Sequence, residues 1–219
     1  MHNKNEGIIE EYVKRFEQAY TDSSTYTQRL QEMAEIKLAD IAQADVERVI
    51  RRFLYQWGRM GRVLGRSEFR DWESDVAKLV RAKCEKLEDF RRKDLADSRL
   101  NVSEFELDLK KLYDCFKHIV GPVAATKVLH LICPNFFPMW DNDIARAVRS
   151  EIQRKEERNN TIEEFSAADY YRFVGQVLNF IKKYETVLSD LAAQYKKGEL
   201  KILDEFLWWV THRPLSLFF

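Results

Sequence analysis

The sequence predicts an all-α fold, a helical bundle built as one compact unit over residues 1–219, and three observations predict it. Apolar residues recur at steps of three and four nearly throughout, the period of a helix face rather than of a strand. Seven Gly and four Pro are too few for a turn-rich β architecture of 219 residues. Helix-start signals of the Ser/Thr-x-x-Glu type stand at Ser103–Glu106 and Thr161–Glu164. With 45% hydrophobic residues, the chain has enough apolar material to bury a sizeable core.

Taken in order, Ile8–Tyr20 and Tyr26–Leu38 read as amphipathic helices separated by the turn Thr21-Asp22-Ser23-Ser24. A third helix begins near Asp45 and buries Val46, Val49, Ile50, Phe53 and Trp57. Glu68–Leu95 reads as one long charged helix, with the basic run Arg91-Arg92-Lys93 as its solvated end. The Ser103 capping box opens a helix that buries Phe105, Leu109, Leu112, Phe116 and Ile119. Gly121-Pro122 breaks that helix and starts the next, Val123–Cys133; proline at a first helical position gives up an N–H that has no helical partner. Pro134 and Pro138 bracket an extended linker, and Asp141 opens another helix. Further helices run to about Lys197 and from Glu199 to Thr211, where Trp208, Trp209 and the apolar tail Leu215–Phe219 close the core or an oligomer contact.

Composition narrows the function classes. No signal-peptide pattern follows the polar opening Met1–Gly7, and charges interrupt every apolar stretch before it could span a bilayer. Cys84, Cys115 and Cys133 are odd in number and widely spaced, which suits buried thiols in a reducing cytoplasm rather than disulfides. The histidines are scattered along the chain, and His118 and His130 read as structural, so neither a metal nor another cofactor is expected. Zero net charge argues against a nucleic-acid partner, yet it conceals a cluster. Between Arg48 and Arg70 seven arginines face one acid, Glu68, a local charge of +6.

Within that cluster Arg52, Tyr55, Arg59, Arg62 and Arg66 recur at steps of three or four. That spacing predicts a basic stripe with an interleaved aromatic on one helical face, a candidate phosphate track, with Gly58, Gly61 and Gly65 beside it. The alternative is a solvated face with glycines allowing tight helix packing.

The centre of the chain, Gly121 to Arg149, carries the most specific signal. Ile119-Val120-Gly121-Pro122-Val123-Ala124-Ala125 joins two helices through one tight turn, so backbone N–H groups and the positive end of the second helix converge. Gly121, Pro122 and Val123 are therefore candidate phosphate contacts. An apolar approach, Phe136-Phe137-Pro138-Met139-Trp140, then leads to Asp141-Asn142-Asp143-Ile144-Ala145-Arg146. This pairing resembles the helix-hairpin-helix DNA glycosylases, which carry a V-G-x-x-x-A hairpin followed by D-T-H-hydrophobic-x-R. Val120-Gly121 and Ala125 match the hairpin, and Asp141, Ile144 and Arg146 match the second motif. Asn142 stands for the usual threonine and Asp143 for the usual histidine, and the likeness covers about 40 residues.

The resemblance implies a bundle of the helix-hairpin-helix glycosylase type. Residues 106–151 would be the hairpin and catalytic-aspartate core, with 1–105 and 152–219 as surrounding helices. It implies double-stranded DNA with a flipped modified or damaged base as the partner, in DNA repair or defence against phage. Arg146 joins the candidate DNA contacts, and Trp57, Phe136, Phe137 and Trp140 are candidate walls of the base pocket. In bifunctional members a Schiff-base lysine precedes the aspartate by about eighteen residues. That register falls on Val123, and Lys127 lies a helical turn beyond it, so the resemblance implies a monofunctional enzyme. Asp141 then carries the chemistry: a carboxylate beneath the sugar stabilises positive charge that builds as the glycosidic bond breaks, and can orient or deprotonate water. Two rivals remain, a non-catalytic hairpin module that binds DNA and a helical protein-interaction domain. Oligomeric state is left open.

Overall fold

The computed structural model describes residues 4–20, 23–146 and 165–212, and among these no strand occurs. The all-α prediction holds. No helix in this range is long and apolar enough to cross a membrane. The predicted capping box Thr161–Glu164, the tail Leu215–Phe219, Arg149 and residues 147–164 of the predicted core and flank lie outside the described residues.

Helix α1 (Lys4–Ala19) packs along the C-terminal helix α12 (Glu199–His212), while α2 (Ser23–Ala34) packs on α8 (Pro122–Ile132). Helix α3 spans 43–57 and buries Val46, Val49, Ile50, Phe53 and Leu54. Most of it is π-wound, over Val46–Arg51 and Phe53–Trp57, a widening that the apolar period alone did not predict. Gly58 closes it: its N–H reaches Phe53 O at 2.9 Å, and a Cβ there would lie 2.8 Å from Leu54 O. Arg59 follows in the left-handed region at φ 54°, and Met60 N–H returns to Leu54 O at 2.8 Å. Only then does the short α4 (Gly61–Leu64) begin.

This break corrects the predicted basic stripe. Arg52 and Tyr55 stand on α3, Arg59 in the bend, Arg62 on α4 and Arg66 beyond it, so the five do not share one helical face. The long helix predicted over 68–95 is also divided. Asp71 takes a left-handed φ of 61° before α5 (Trp72–Ala82), and Lys83 leaves helical geometry before α6 (Cys84–Arg91). The second break turns α6 so that Leu87 and Phe90 are buried and Arg91 reaches three carbonyls, Ile132 O (2.9 Å), Met33 O (2.8 Å) and Ile36 O (3.3 Å). Arg91 is thus a part-buried tie rather than a solvated end.

Helix α7 (Glu106–Val120) is preceded by a 3-10 turn whose cap is Asn101, which accepts the Ser103 N–H at 3.2 Å. The Ser103 box therefore does not form. Glu106 pairs instead with Lys110, one turn into the helix. Gly121 ends α7 and Pro122 is the first residue of α8, as predicted. At φ 79° and ψ 167° Gly121 occupies backbone space that is essentially reserved for glycine. A tight turn and extended residues lead from α8 to α9, which begins at 142 and is described through 146.

Three helices complete the bundle: α10 (Ala167–Lys183), α11 (Glu185–Tyr195) and α12. Ser166 and Asp169 cap α10 reciprocally. Trp140 sits at the centre, fully buried, with its ring 5.0 Å from Tyr170, 5.7 Å from Phe173 and 5.8 Å from Tyr113. All three cysteines are free thiols. Cys133 is buried and its thiol pKa is pushed up by that burial, whereas Cys84 and Cys115 are half-buried.

Candidate functional site

Trp140 couples the hairpin to the residue that follows it. Its backbone N–H meets Thr126 Oγ1 on α8 at 3.3 Å, and its indole N–H reaches Pro122 O at 3.4 Å. From the other side Tyr170 donates to Pro138 O at 2.8 Å. The extended approach is thereby held on both flanks, and Asp141 leaves it in a fixed position. Asp141 Oδ1 accepts the N–H groups of Asp143 and Ile144, each at 2.9 Å, and so caps α9. Its other oxygen, Oδ2, faces His212 Nε2 at 3.2 Å.

Asp141 forms part of the wall of a cavity of about 390 Å³, within the usual size range of small-molecule sites. Aromatic walls come from Phe16, Tyr20, Tyr26, Trp57, Trp140 and Trp208. Of the four aromatics singled out in the sequence, Trp57 and Trp140 line this cavity, Trp140 with a ring otherwise buried in the core. Phe136 and Phe137 do not line it: both are fully buried against Phe90, with ring centroids at 4.6 and 5.0 Å, and belong to the core. Their apolar run made them look like pocket walls, but the turn after α8 directs them inward.

The floor is ionic. Lys201, buried beside Tyr26 and Trp57 (each ring centroid 4.9 Å from Nζ), binds Asp204 at 2.9 Å and Glu205 at 3.2 Å. Burial works against its charge, but the two carboxylates outweigh burial and hold its pKa above the ordinary lysine value. Lys197 pairs with Glu205 at 2.7 Å and with Glu17. Burial raises the Glu205 pKa against the pull of Lys201 and Lys197, and its Oε2 is buried without a hydrogen-bond partner.

Lys127 differs. Its amine lines the same cavity, donates to Gly58 O at 2.9 Å and sits 5.8 Å from the Trp57 ring centroid. Among the described residues no carboxylate comes within ion-pair distance of it, and burial lowers its pKa. Counting along the chain set Lys127 aside; through space it shares a cavity with Asp141.

His130 supports the wall from behind. It is fully buried, its Nδ1–H donates to Phe137 O at 2.8 Å, and its Nε2 accepts from the Tyr26 hydroxyl at 2.7 Å. Burial pushes its pKa down to about 4, so the ring is neutral and fixes Tyr26 in place.

The candidate DNA contacts divide between two regions. Gly121, Pro122 and Val123 are half-buried, and the Phe69 ring covers part of the turn: a Cβ on Gly121 would lie 3.6 Å from Phe69 Cζ. That contact also brings the arginine segment beside the hairpin. Arg52, Arg59 and Arg62 are exposed with no carboxylate within ion-pair distance among the described residues, while Arg66 faces Glu68 at 3.9 Å. Tyr55 is half-buried under the Arg51 guanidinium, 5.2 Å away. Arg59, strained by its positive φ, lines the cavity itself. Arg146 is exposed and pairs with Asp143 at 3.2 Å.

Among the cavity residues not singled out in the sequence are four from α12: Lys201, Asp204, Glu205 and His212. Spacings of three and four from Lys201, and of seven from Glu205 to His212, put them on one face of that helix, a signal masked by the apolar residues around them. Comparison of the chain with protein-family models, characterised proteins and solved structures gave no match.

Proposed function

We propose that this protein is a DNA glycosylase that releases a modified or damaged base into the aromatic cavity beside Asp141. One observation carries the reading: a carboxylate pinned by two backbone N–H groups at a helix start faces an aromatic-walled cavity, beside a glycine-proline hairpin. A flipped base would lie against Trp57 and Trp208, with buried Trp140 behind the cavity wall, and the uncompensated Arg52, Arg59 and Arg62 would hold the backbone. As the C1′–N bond breaks, its electron pair leaves with the base and positive charge builds on the sugar. Asp141 stabilises that charge and takes the proton of the water that adds to C1′.

The position of Lys127 favours a second route in the same cavity. An amine with a lowered pKa could add to C1′ in place of water as the base leaves, lose a proton, and form an imine as the C1′–O4′ bond breaks and the ring oxygen is protonated to the 4′-hydroxyl. The two routes separate in one assay on duplex oligonucleotides carrying modified bases. Asp141→Asn keeps a capping side chain, so the fold stands while base release falls by about 100-fold or more. Borohydride yields no protein–DNA adduct if water attacks; an adduct that disappears in Lys127→Ala assigns the amine route. Salt-sensitive duplex binding without any base release would leave a binding module. No salt-sensitive binding at all would overturn the DNA reading in favour of a protein-interaction domain.

A further inference from the structure

We propose that Asp141, Asp143 and His212 form a site for one divalent transition-metal ion at the edge of the cavity. His212 Nε2 lies 3.2 Å from Asp141 Oδ2 and 3.5 Å from Asp143 Oδ2, and one atom from each residue falls within 4.8 Å of the others. An ion bound at about 2.1 Å spaces neighbouring ligands by about 3.0 Å in octahedral geometry and about 3.4 Å in tetrahedral geometry. The two spacings to His212 lie within or next to that range, and the two carboxylate oxygens are no further apart than 4.8 Å.

The second atoms of these side chains strengthen the case. Asp141 Oδ1 is occupied by the N–H groups of Asp143 and Ile144, and Asp143 Oδ1 by the Arg146 guanidinium. His212 Nδ1 lies 3.0 Å from Trp208 O, which can only accept, so Nδ1 carries the proton. Thr211 Oγ1, 3.1 Å from the same nitrogen, has its own acceptor in Leu207 O at 2.9 Å. The imidazole is further fixed by stacking on Trp208, with centroids 4.4 Å apart and 12° between planes. Each residue therefore has one atom tied to the protein and another aimed at a common point. A backbone carbonyl behind a histidine is the arrangement that orients metal ligands. His212 also ends α12, where the negative end of the helix favours a cation.

Two carboxylate oxygens and one imidazole suit Zn²⁺, Mn²⁺ or Co²⁺, and not an ion that requires thiolates. Asp141 and His212 both line the cavity, so an ion held by them would lie at its edge. Scattered histidines argued against a metal in the sequence; the site is assembled from residues about 70 positions apart, which spacing cannot register.

Asp141 is shared with the glycosylase reading, so a bound ion would occupy the oxygen that hydrolysis needs. Metal uptake is nevertheless measured directly, whether or not any base is released. Untagged, chelator-stripped protein is titrated with Co²⁺ and followed by visible absorption. We expect one equivalent to bind with a saturable d–d band, and Asp143→Asn and His212→Gln each to weaken binding by about 10-fold or more. Asp143 is exposed, so its variant reports on the site even if His212→Gln fails to fold. No saturable uptake by the natural protein, or equal uptake by both folded variants, overturns the proposal.

Discussion

Acid should destabilise this protein through His130 as the pH falls below neutrality. The ring is fully buried between Phe137 O and the Tyr26 hydroxyl, and burial holds its pKa at about 4 instead of 6.5. The unfolded chain therefore takes up a proton at a pH where the native ring refuses it. Stability is fully present above the unfolded pKa and is lost as pH falls through 6.5 towards about 4. The difference between 6.5 and about 4 corresponds to about 3 kcal/mol, of which about 2 kcal/mol disappears between about pH 7 and about pH 5. Urea unfolding of the natural protein and of His130→Gln at both pH values isolates this contribution, since other groups titrate in both. The natural protein should lose about 2 kcal/mol more than the variant over that interval. In parallel, the His130 ring resonances should keep their neutral positions down to about pH 5. A His130 that titrates between about pH 6 and 7, or an identical acid loss in the variant, refutes the reasoning.

Two substitutions test the elements that position the site. Gly121→Ala forces an ordinary residue into backbone space at φ 79° and ψ 167°, and should cost about 1–3 kcal/mol in urea unfolding; a loss below about 0.5 kcal/mol would mean the turn relaxes. Its Cβ meets only ordinary contact distance from Phe69, so the cost comes from the backbone rather than from a clash. Glu205→Ala leaves Lys197 and Lys201 buried with half of their carboxylates, for a loss of about 3–5 kcal/mol seen as a lower melting temperature; an unchanged melting temperature would show that the network is not holding α12 in place.

The parts of this molecule that were legible in the sequence are those fixed by local chemistry. Gly121-Pro122 acts on its own backbone, so the hairpin between α7 and α8 could be read from two letters. Asp141 caps the helix it precedes for the same reason. What was missed depends on distant partners. The π-winding of α3 and the break at Lys83 change no apolar period, yet they determine where Arg59 and Arg91 point. Phe136 and Phe137 share the composition of the pocket walls, and only the turn after α8 separates core from cavity. His130 read correctly as structural, but its role in holding Tyr26 crosses 104 positions of sequence.

Two of the lysines that line the cavity show what counting residues along the chain leaves out. Lys127 and Lys201 are the same side chain in the same cavity, and burial opposes the charge on both. Lys201 has Asp204 and Glu205 against it, so its charge is secured and its pKa rises. Such an ammonium is structural: it holds α12 against the Tyr26 and Trp57 rings and has no lone pair to offer. Lys127 touches a carbonyl oxygen and an aromatic face, while Asp204 and Asp141 act on it only from beyond ion-pair distance, so burial prevails and its pKa falls. An amine gains nucleophilic character from that environment, not from its distance along the chain to an aspartate. Under the proposed glycosylase reading, Asp141 and Lys127 are the two candidates for the chemical centre of one cavity, and the adduct experiment chooses between them whatever the register of the hairpin motif.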